Sequence, residues 1–207
     1  CGYTALDMKD SFHTNAFFIG GNIRNMIGIT ADYIPIFLSD IPSLFRQGYM
    51  DLDVVLVNVS PPDKHGFCSL GVSVDIVVAA IENGKKVIAQ INKNMPRTFG
   101  DGIVHLNNFD ACVIVHDEIH EMKFVAPTDA EKQIGKNIAE IIDDGATLQM
   151  GIGGIPNAVL TYLNNHKDLG VHTEMFSEGI VDLVDKGVVN GAKKKVNPYK
   201  IVSGFAM

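Results

Sequence analysis

The sequence predicts an α/β fold with largely parallel sheets, and three observations point that way. Short β-branched runs alternate along the chain with stretches of helical spacing. The run "LDVVLVNVS" (52–60) is nearly continuously apolar, as a strand covered on both faces should be. The alternation then starts again after "EMKFVAPTD" (121–129), which places a domain boundary near residue 126.

In chain order, "NAFFIGG" (15–21) reads as a strand ending in glycines, followed by a short helix from Asn22. "ADYIPIF" (31–37) is a strand. "SDIPSLFRQG" (39–48) is a helix with Ser39 or Asp40 as N-cap and Gly48 as its stop. After the strand at 52–60, "SVDIVVAAIENG" (73–84) is a helix capped by Ser73 and closed by Gly84. "KKVIAQIN" and "ACVIVHD" are further buried strands. Beyond the boundary, Pro127 precedes Thr128, an N-cap for "DAEKQIGKNIAEIIDDG", whose Ile134, Ile138, Ile141 and Ile142 recur at helical spacing. "ATLQMGIGG" is strand into turn, and "IPNAVLTYLNN" is a helix with Pro156 in its first turn, where a missing N–H does no harm. "LGVHTEMF", "EGIVDLVDKG" and "YKIVSGFAM" follow as strand, helix and strand.

Composition bounds the function. Apolar residues make up 46% and charged residues 20%, which suits a globular domain and excludes a disordered one. The longest apolar run, "IVVAAI" (76–81), is far too short to span a membrane. The net charge of −7 argues against nucleic acid, whose binding rests on neutralising phosphates. Any polyanionic ligand must therefore find a local positive patch. Cys1, Cys68 and Cys112 are odd in number, widely spaced and without a C-x-x-C, which fits a reducing, cytoplasmic setting and small buried hydrophobes better than a disulfide framework. The chain opens on Cys1 without an initiator Met and stops on a strand, which leads to the expectation of a fragment: a first α/β domain (1–126) lacking its start, and the beginning of a second (127–207).

Several stretches carry candidate chemistry. In "GIGGIP" (151–156) the glycines let the backbone approach a ligand closely, and the following helix offers free N–H groups to an anion. A tight βα turn with no ligand reads equally well. The dinucleotide fingerprint is not met, because Pro156 stands where its third glycine belongs. "SPPDKHGFCSLG" (60–71) presents His65 as a base or, more plainly, as a residue closing a turn. "HDEIHE" (116–121) lacks the Glu beside the first His and the helix that a zinc-protease motif needs, so a metal is not expected. Lys93 and Arg97 in "NKNMPRTFGD" (92–101) form either a phosphate patch or a surface loop, and "KKK" (193–195) is a solvated loop. Glu174, inside the strand "LGVHTEMF", is either an edge carboxylate or a reactive one. The reactive reading needs partial desolvation, backbone donors and an electrophile in reach.

Five strings decide between these alternatives: "YIPIFLSDIPSLF", "VSPPDKHGFCSLGVSVD", "NKNMPRTFGD", "DGATLQMGIGGIPNAVL" and "LGVHTEMFSEGIVDLVDKGVV". Over essentially the whole chain they resemble the acetyl-CoA hydrolase/transferase family, and within it the 4-hydroxybutyrate and butyryl-CoA:acetate CoA-transferases. The resemblance implies a two-domain CoA-transferase architecture and ping-pong transfer of coenzyme A between short-chain carboxylic acids. It makes Glu174 the residue that becomes a glutamyl-CoA thioester. The turn formed by Gly151, Ile152, Gly153, Gly154 and Ile155 would contact the CoA-bound substrate. No permanently bound cofactor or metal is implied, and the intact protein is expected to be a homodimer. An acyl-CoA hydrolase and a non-catalytic CoA-binding fragment are the alternatives.

Overall fold

The computed structural model describes residues 2–121 and 126–206. Cys1, the stretch immediately before the expected domain boundary and the last residue of "YKIVSGFAM" lie outside the described residues. The architecture is mixed α/β. Of the strand pairs among the described residues, all but one are parallel, as the alternation of segments requires.

The first part begins with β1 (Thr14–Ala16) and β2 (Ala31–Tyr33), paired in parallel. Both are shorter than expected. After Ala16 the chain turns so that Phe17 meets Phe45 edge-on at 6.1 Å, and β2 stops just before Pro35, which has no N–H to extend the ladder. Helix α1 (Ile41–Arg46) follows a 3₁₀ turn and ends at Gly48, whose φ of +71° only glycine adopts easily. Asp40 occupies the N-cap, but its side chain makes no capping bond, and Ile41 and Phe45 supply the buried face.

Strands β3 (Val55–Val59), β5 (Val87–Asn92) and β7 (Ala111–Val115) form a parallel sheet in the order β3-β5-β7. The antiparallel pair β4 (Phe67–Ser69) and β6 (Ile103–His105) and helix α2 (Val77–Asn83) complete this part. Val55, Val57, Val59, Val87, Ala89 and Ile91 pack with Cys68, Leu70 and Val104 into one core, with Val77, Val78 and Ile81 of α2 against it. Fully burying a side chain of this kind stabilises the fold by ~1.5–3 kcal/mol, so this face holds the sheet together. The expectation that β3 is covered on both faces is not met. Its burial alternates, leaving Leu56 75% exposed, and Val113 and Ile114 on β7 are open as well. Helix α2 also starts later than its supposed cap Ser73, because residues 73–75 are drawn into contacts with the far end of the chain.

In the second part, α3 (Asp129–Ala139) opens with a capping box. The Thr128 hydroxyl accepts from the Glu131 amide, and the Glu131 carboxylate accepts from the Thr128 amide at 2.7 Å. Those bonds hold the Glu131 carboxyl below the usual range, with the Thr128 amide as the chief cause. The buried stripe of α3 is not the expected isoleucine row. Gly135 and Ala139 face the core, while Ile134 and Ile141 are exposed. Small residues win because α4 (Gly154–Thr161) comes very close: a Cβ on Gly135 would lie 2.8 Å from the Ala158 carbonyl carbon. Strands β8 (Thr147–Leu148) and β9 (Gly170–Val171) pair in parallel beside these helices. Further on, β10 (Met175–Phe176) pairs in parallel with β11 (Phe205–Ala206), and α5 (Gly179–Asp185) follows β10. Leu160, Leu163, Leu169, Val171, Ile180 and Leu183 form the second core.

Candidate functional site: a glycine turn and the Glu174 bend

The turn "GIGGI" connects β8 to α4, as the sequence predicts. Gly151, Ile152 and Gly153 are exposed, and Gly153 serves as N-cap at φ +118°, a conformation that strongly favours glycine. A Cβ at Gly153 would meet nothing within 4 Å, so the glycine there is demanded by the backbone and not by packing. Gly154 differs, since a side chain on it would overlap the Glu131 carboxylate. Thus Gly154 leaves room for the Glu131 carboxylate of the capping box, and with exposed Ile155 it opens the first turn of α4, where helix N–H groups have no partner within the helix.

Glu174 is not inside a strand. The predicted strand "LGVHTEMF" breaks into β9 and β10, with Glu174 at a bend between them. The break has a physical cause: after Val171 the chain changes partner, from β8 to the segment at 202–206. The expected partial desolvation is also not found. Glu174 is exposed, and no donor bonds its carboxylate among the described residues. What the fold does secure is its location. The neighbouring Thr173 is buried, and its hydroxyl donates to the Met150 carbonyl at 2.8 Å and accepts from the Met150 amide at 3.0 Å. Ser177, on the other side, is buried too and donates its hydroxyl hydrogen bond to Asn157 Oδ1 at 3.1 Å, in the first turns of α4. The glycine turn lies between Met150 and Asn157, and Glu174 lies between Thr173 and Ser177. Two tethers therefore hold the carboxylate-bearing bend beside the turn.

Other candidates resolve into structural roles. The Asp63 carboxylate accepts from the His65 and Phe67 amides and from Arg97 at 2.9 Å, which closes the "SPPDKHG" loop. Its carboxyl is held below the usual range, first by the Phe67 amide. His65 thus sits in a loop closed by Asp63, and Arg97 is committed to Asp63 and the Phe67 carbonyl, not to a phosphate patch. In "HDEIHE" no helix forms; His116 is within 3.0 Å of Asn94 Oδ1. Among the described residues, no group of three or more His, Cys, Asp or Glu could hold a metal ion. Cys68 is fully buried and burial pushes its thiol up, whereas Cys112 is exposed on β7, contrary to expectation.

"KKK" is not simply a solvated loop. Lys194 is 6% exposed; its stem crosses Gly170, and its ammonium donates to the Val171 carbonyl at 2.8 Å and to the Lys200 carbonyl. Burial lowers its pKa. With Lys193, Lys195, Thr147 and His172 it lines a cavity of about 320 Å³. Sequence reasoning missed Thr173, Ser177, Asn157 and Lys194, since each matters through a partner about twenty residues away or more.

The parallel α/β scaffold, with a glycine turn tethered beside the Glu174 bend, is the frame in which the likeness to known proteins is placed. The family model for the acetyl-CoA hydrolase/transferase N-terminal domain matches residues 2–126, and the chain belongs to that family. It is 50% identical over 207 residues to a succinyl-CoA:acetate/propanoyl-CoA:succinate CoA transferase of Fasciola hepatica, covering 99% of this chain and 43% of the relative. A 4-hydroxybutyrate coenzyme A transferase of Clostridium kluyveri is 48% identical over 206 residues, covering 99% of this chain and 48% of that protein. The crystal structure of a 4-hydroxybutyrate CoA-transferase from Porphyromonas gingivalis superposes with a TM-score of 0.83 at 37% identity, over 97% of this chain and 53% of that one. The chain spans about half the length of the curated relatives it matches. Among the described residues, no helix is long and apolar enough to cross a membrane.

Proposed function

We propose that this chain carries the nucleophilic half of a CoA-transferase, with Glu174 as the temporary carrier of coenzyme A and Gly151–Ile155 as a binding turn for the CoA-bound substrate. The observation that carries the reading is the pair of tethers, Thr173 to Met150 and Ser177 to Asn157, which holds the Glu174 bend beside that turn.

A carboxylate is a weak nucleophile, but a thioester carbonyl is activated and a thiolate leaves well. A Glu174 oxygen attacks the acyl-CoA carbonyl, the C–S bond breaks, and a mixed anhydride forms with free CoA thiolate. The thiolate then attacks the glutamyl carbonyl. The bond between the glutamyl carbonyl carbon and the bridging oxygen breaks, so the first acid departs as its carboxylate and glutamyl-CoA is left on the protein. A second carboxylate runs the same steps in reverse, so no proton or electron is consumed. Because one carboxylate replaces another, each half-reaction is nearly balanced. Each tetrahedral oxyanion needs N–H donors, and removing one such donor typically costs ~3 kcal/mol. The free amides of the glycine turn are of the right kind, and contacts to the distant parts of CoA lower the barrier further.

The relatives' names suggest short-chain acids as donor and acceptor, of the 4-hydroxybutyrate, butyrate and acetate class. The reading includes a domain boundary near residue 126, a homodimeric natural-length protein and a cytoplasmic setting. A second reading, acyl-CoA hydrolysis on the same scaffold, is favoured by one observation: Glu174 is exposed, so water can reach its thioester. The test treats the natural-length protein with acyl-CoA, traps with borohydride or hydroxylamine, and maps the product by mass spectrometry. Modification of Glu174, its loss together with ~10⁴-fold of turnover in Glu174→Gln, and faster discharge by acetate than by water are expected. An unmodified Glu174 peptide from fully active protein refutes the proposal.

A further inference from the structure

We propose that Ser203 is a positioning residue for Glu174, working in a clamp that the first part of the chain completes; the inference rests on the reading of Glu174 as nucleophile. The Glu174 carbonyl oxygen accepts from the Gly204 amide at 2.8 Å, the Phe205 amide at 3.0 Å and the Ser203 hydroxyl at 3.1 Å. A carbonyl has two lone pairs, so this acceptor is saturated. The Ser203 hydroxyl has one proton and lies within 3.0 Å of the Phe205 carbonyl as well, so it is shared between two oxygens that it draws together. Next to the bend, the Thr173 amide donates to the Val202 carbonyl at 2.9 Å, and Met175 and Phe176 pair with Phe205 and Ala206. Among the described residues the reactive side chain makes no hydrogen bond, but its own carbonyl and the residues on both sides of it are held.

The support behind this clamp comes from about 130 residues earlier in the chain. The Gly204 carbonyl accepts from the Val74 amide at 3.0 Å and the Asp75 amide at 3.3 Å. The Ala206 amide donates to the Val72 carbonyl at 2.8 Å, and Ser73 forms an antiparallel bridge with Phe205. Residues 202–206 thus form a middle segment, ending in β11, with the Glu174 bend on one side and the loop 72–75 on the other. This is the contact that delays the start of α2. The room at Gly204 is also tuned, because a Cβ there would lie 3.2 Å from the Glu174 carbonyl oxygen. Fixing the backbone leaves only side-chain torsions to be ordered when the carboxylate attacks, and displacements of about 1 Å at such a position can cost ~100-fold in rate.

The test compares natural-length wild-type protein with Ser203→Ala, Ser203→Thr and Gly204→Ala. In Ser203→Ala the rate of Glu174 adduct formation is expected to fall roughly 10- to 100-fold. Affinity for the unreactive analogue desulfo-CoA should stay within about twofold, and Ser203→Thr should restore most of the rate. Hydrogen–deuterium exchange of the peptide 172–176 should quicken in Ser203→Ala and Gly204→Ala while 147–151 stays unchanged. A wild-type rate in Ser203→Ala, or a loss of desulfo-CoA affinity equal to the loss of rate, overturns the proposal. If wild-type protein forms no adduct at Glu174, the nucleophile reading fails, and unaltered exchange at 172–176 then separately overturns the clamp.

Discussion

Thr173→Val is the substitution whose effect follows most directly from the structure. Valine has nearly the same shape, so packing around this buried position is kept, but the hydroxyl that bonds Met150 twice is lost. Each such bond contributes ~1 kcal/mol net, so about 2 kcal/mol of local stabilisation disappears. Leaving the Met150 amide and carbonyl without a partner adds to that cost, because no other bond to either is made among the described residues. At 1.4 kcal/mol per tenfold, the ordered turn becomes at least ~30-fold less favoured over its open forms. Adduct formation at Glu174 should slow by a similar factor, and amide exchange at 149–151 should quicken. Thr173→Ser, which keeps the hydroxyl, should remain close to wild type in both. If Thr173→Val changes denaturant stability by less than about 0.5 kcal/mol and leaves the adduct rate within twofold, the tether does not place the turn against Glu174.

Two further predictions concern the frame. Gly135→Ala gains ~1 kcal/mol in helix propensity, but its Cβ would press on the α4 backbone at 2.8–2.9 Å, and overpacking there costs ~1–3 kcal/mol; net destabilisation in a urea titration is the expected result. Lys194 has a pKa lowered by burial, so as pH rises through its folded value the native state loses its proton while the unfolded state keeps it. Unfolding free energy should therefore climb with pH on approach to the ordinary lysine range, and Lys194→Met should remove that part of the slope.

Much of the scaffold was legible in local pattern. Alternating apolar runs gave parallel strands, Thr128 with Glu131 gave a capping box, and the spacing of Gly151, Gly153 and Gly154 gave a strand-to-helix turn with a left-handed residue. The candidate site was legible only in part. Periodicity placed Glu174 within a strand and left its role open, and the resemblance of whole strings brought it forward as nucleophile. The bend itself could not be read, because the switch of pairing from β8 to residues 202–206 depends on a partner about thirty residues downstream. For the same reason the isoleucine spacing of α3 pointed to the wrong stripe. Isoleucine recurs at helical intervals, but only a neighbour as close as α4 makes Gly135 and Ala139 the buried face.

By itself, the sequence determined the class of fold, the order of most elements, the family and the residue numbers of the turn and the carboxylate. The fold class and element order are set by side-chain periodicity, backbone freedom and local capping, all of which act over a few residues, while the family and the site residues came from the resemblance of whole strings. Tertiary structure alone decided that β3 is covered on one face, that Lys194 is buried over Gly170, and that Glu174 is exposed in a bend. It also decided that Met150, Asn157 and Gly204 are what hold that bend. Hydrogen bonds to partners 20 to 130 residues away are set by how elements pack, and no local pattern encodes them.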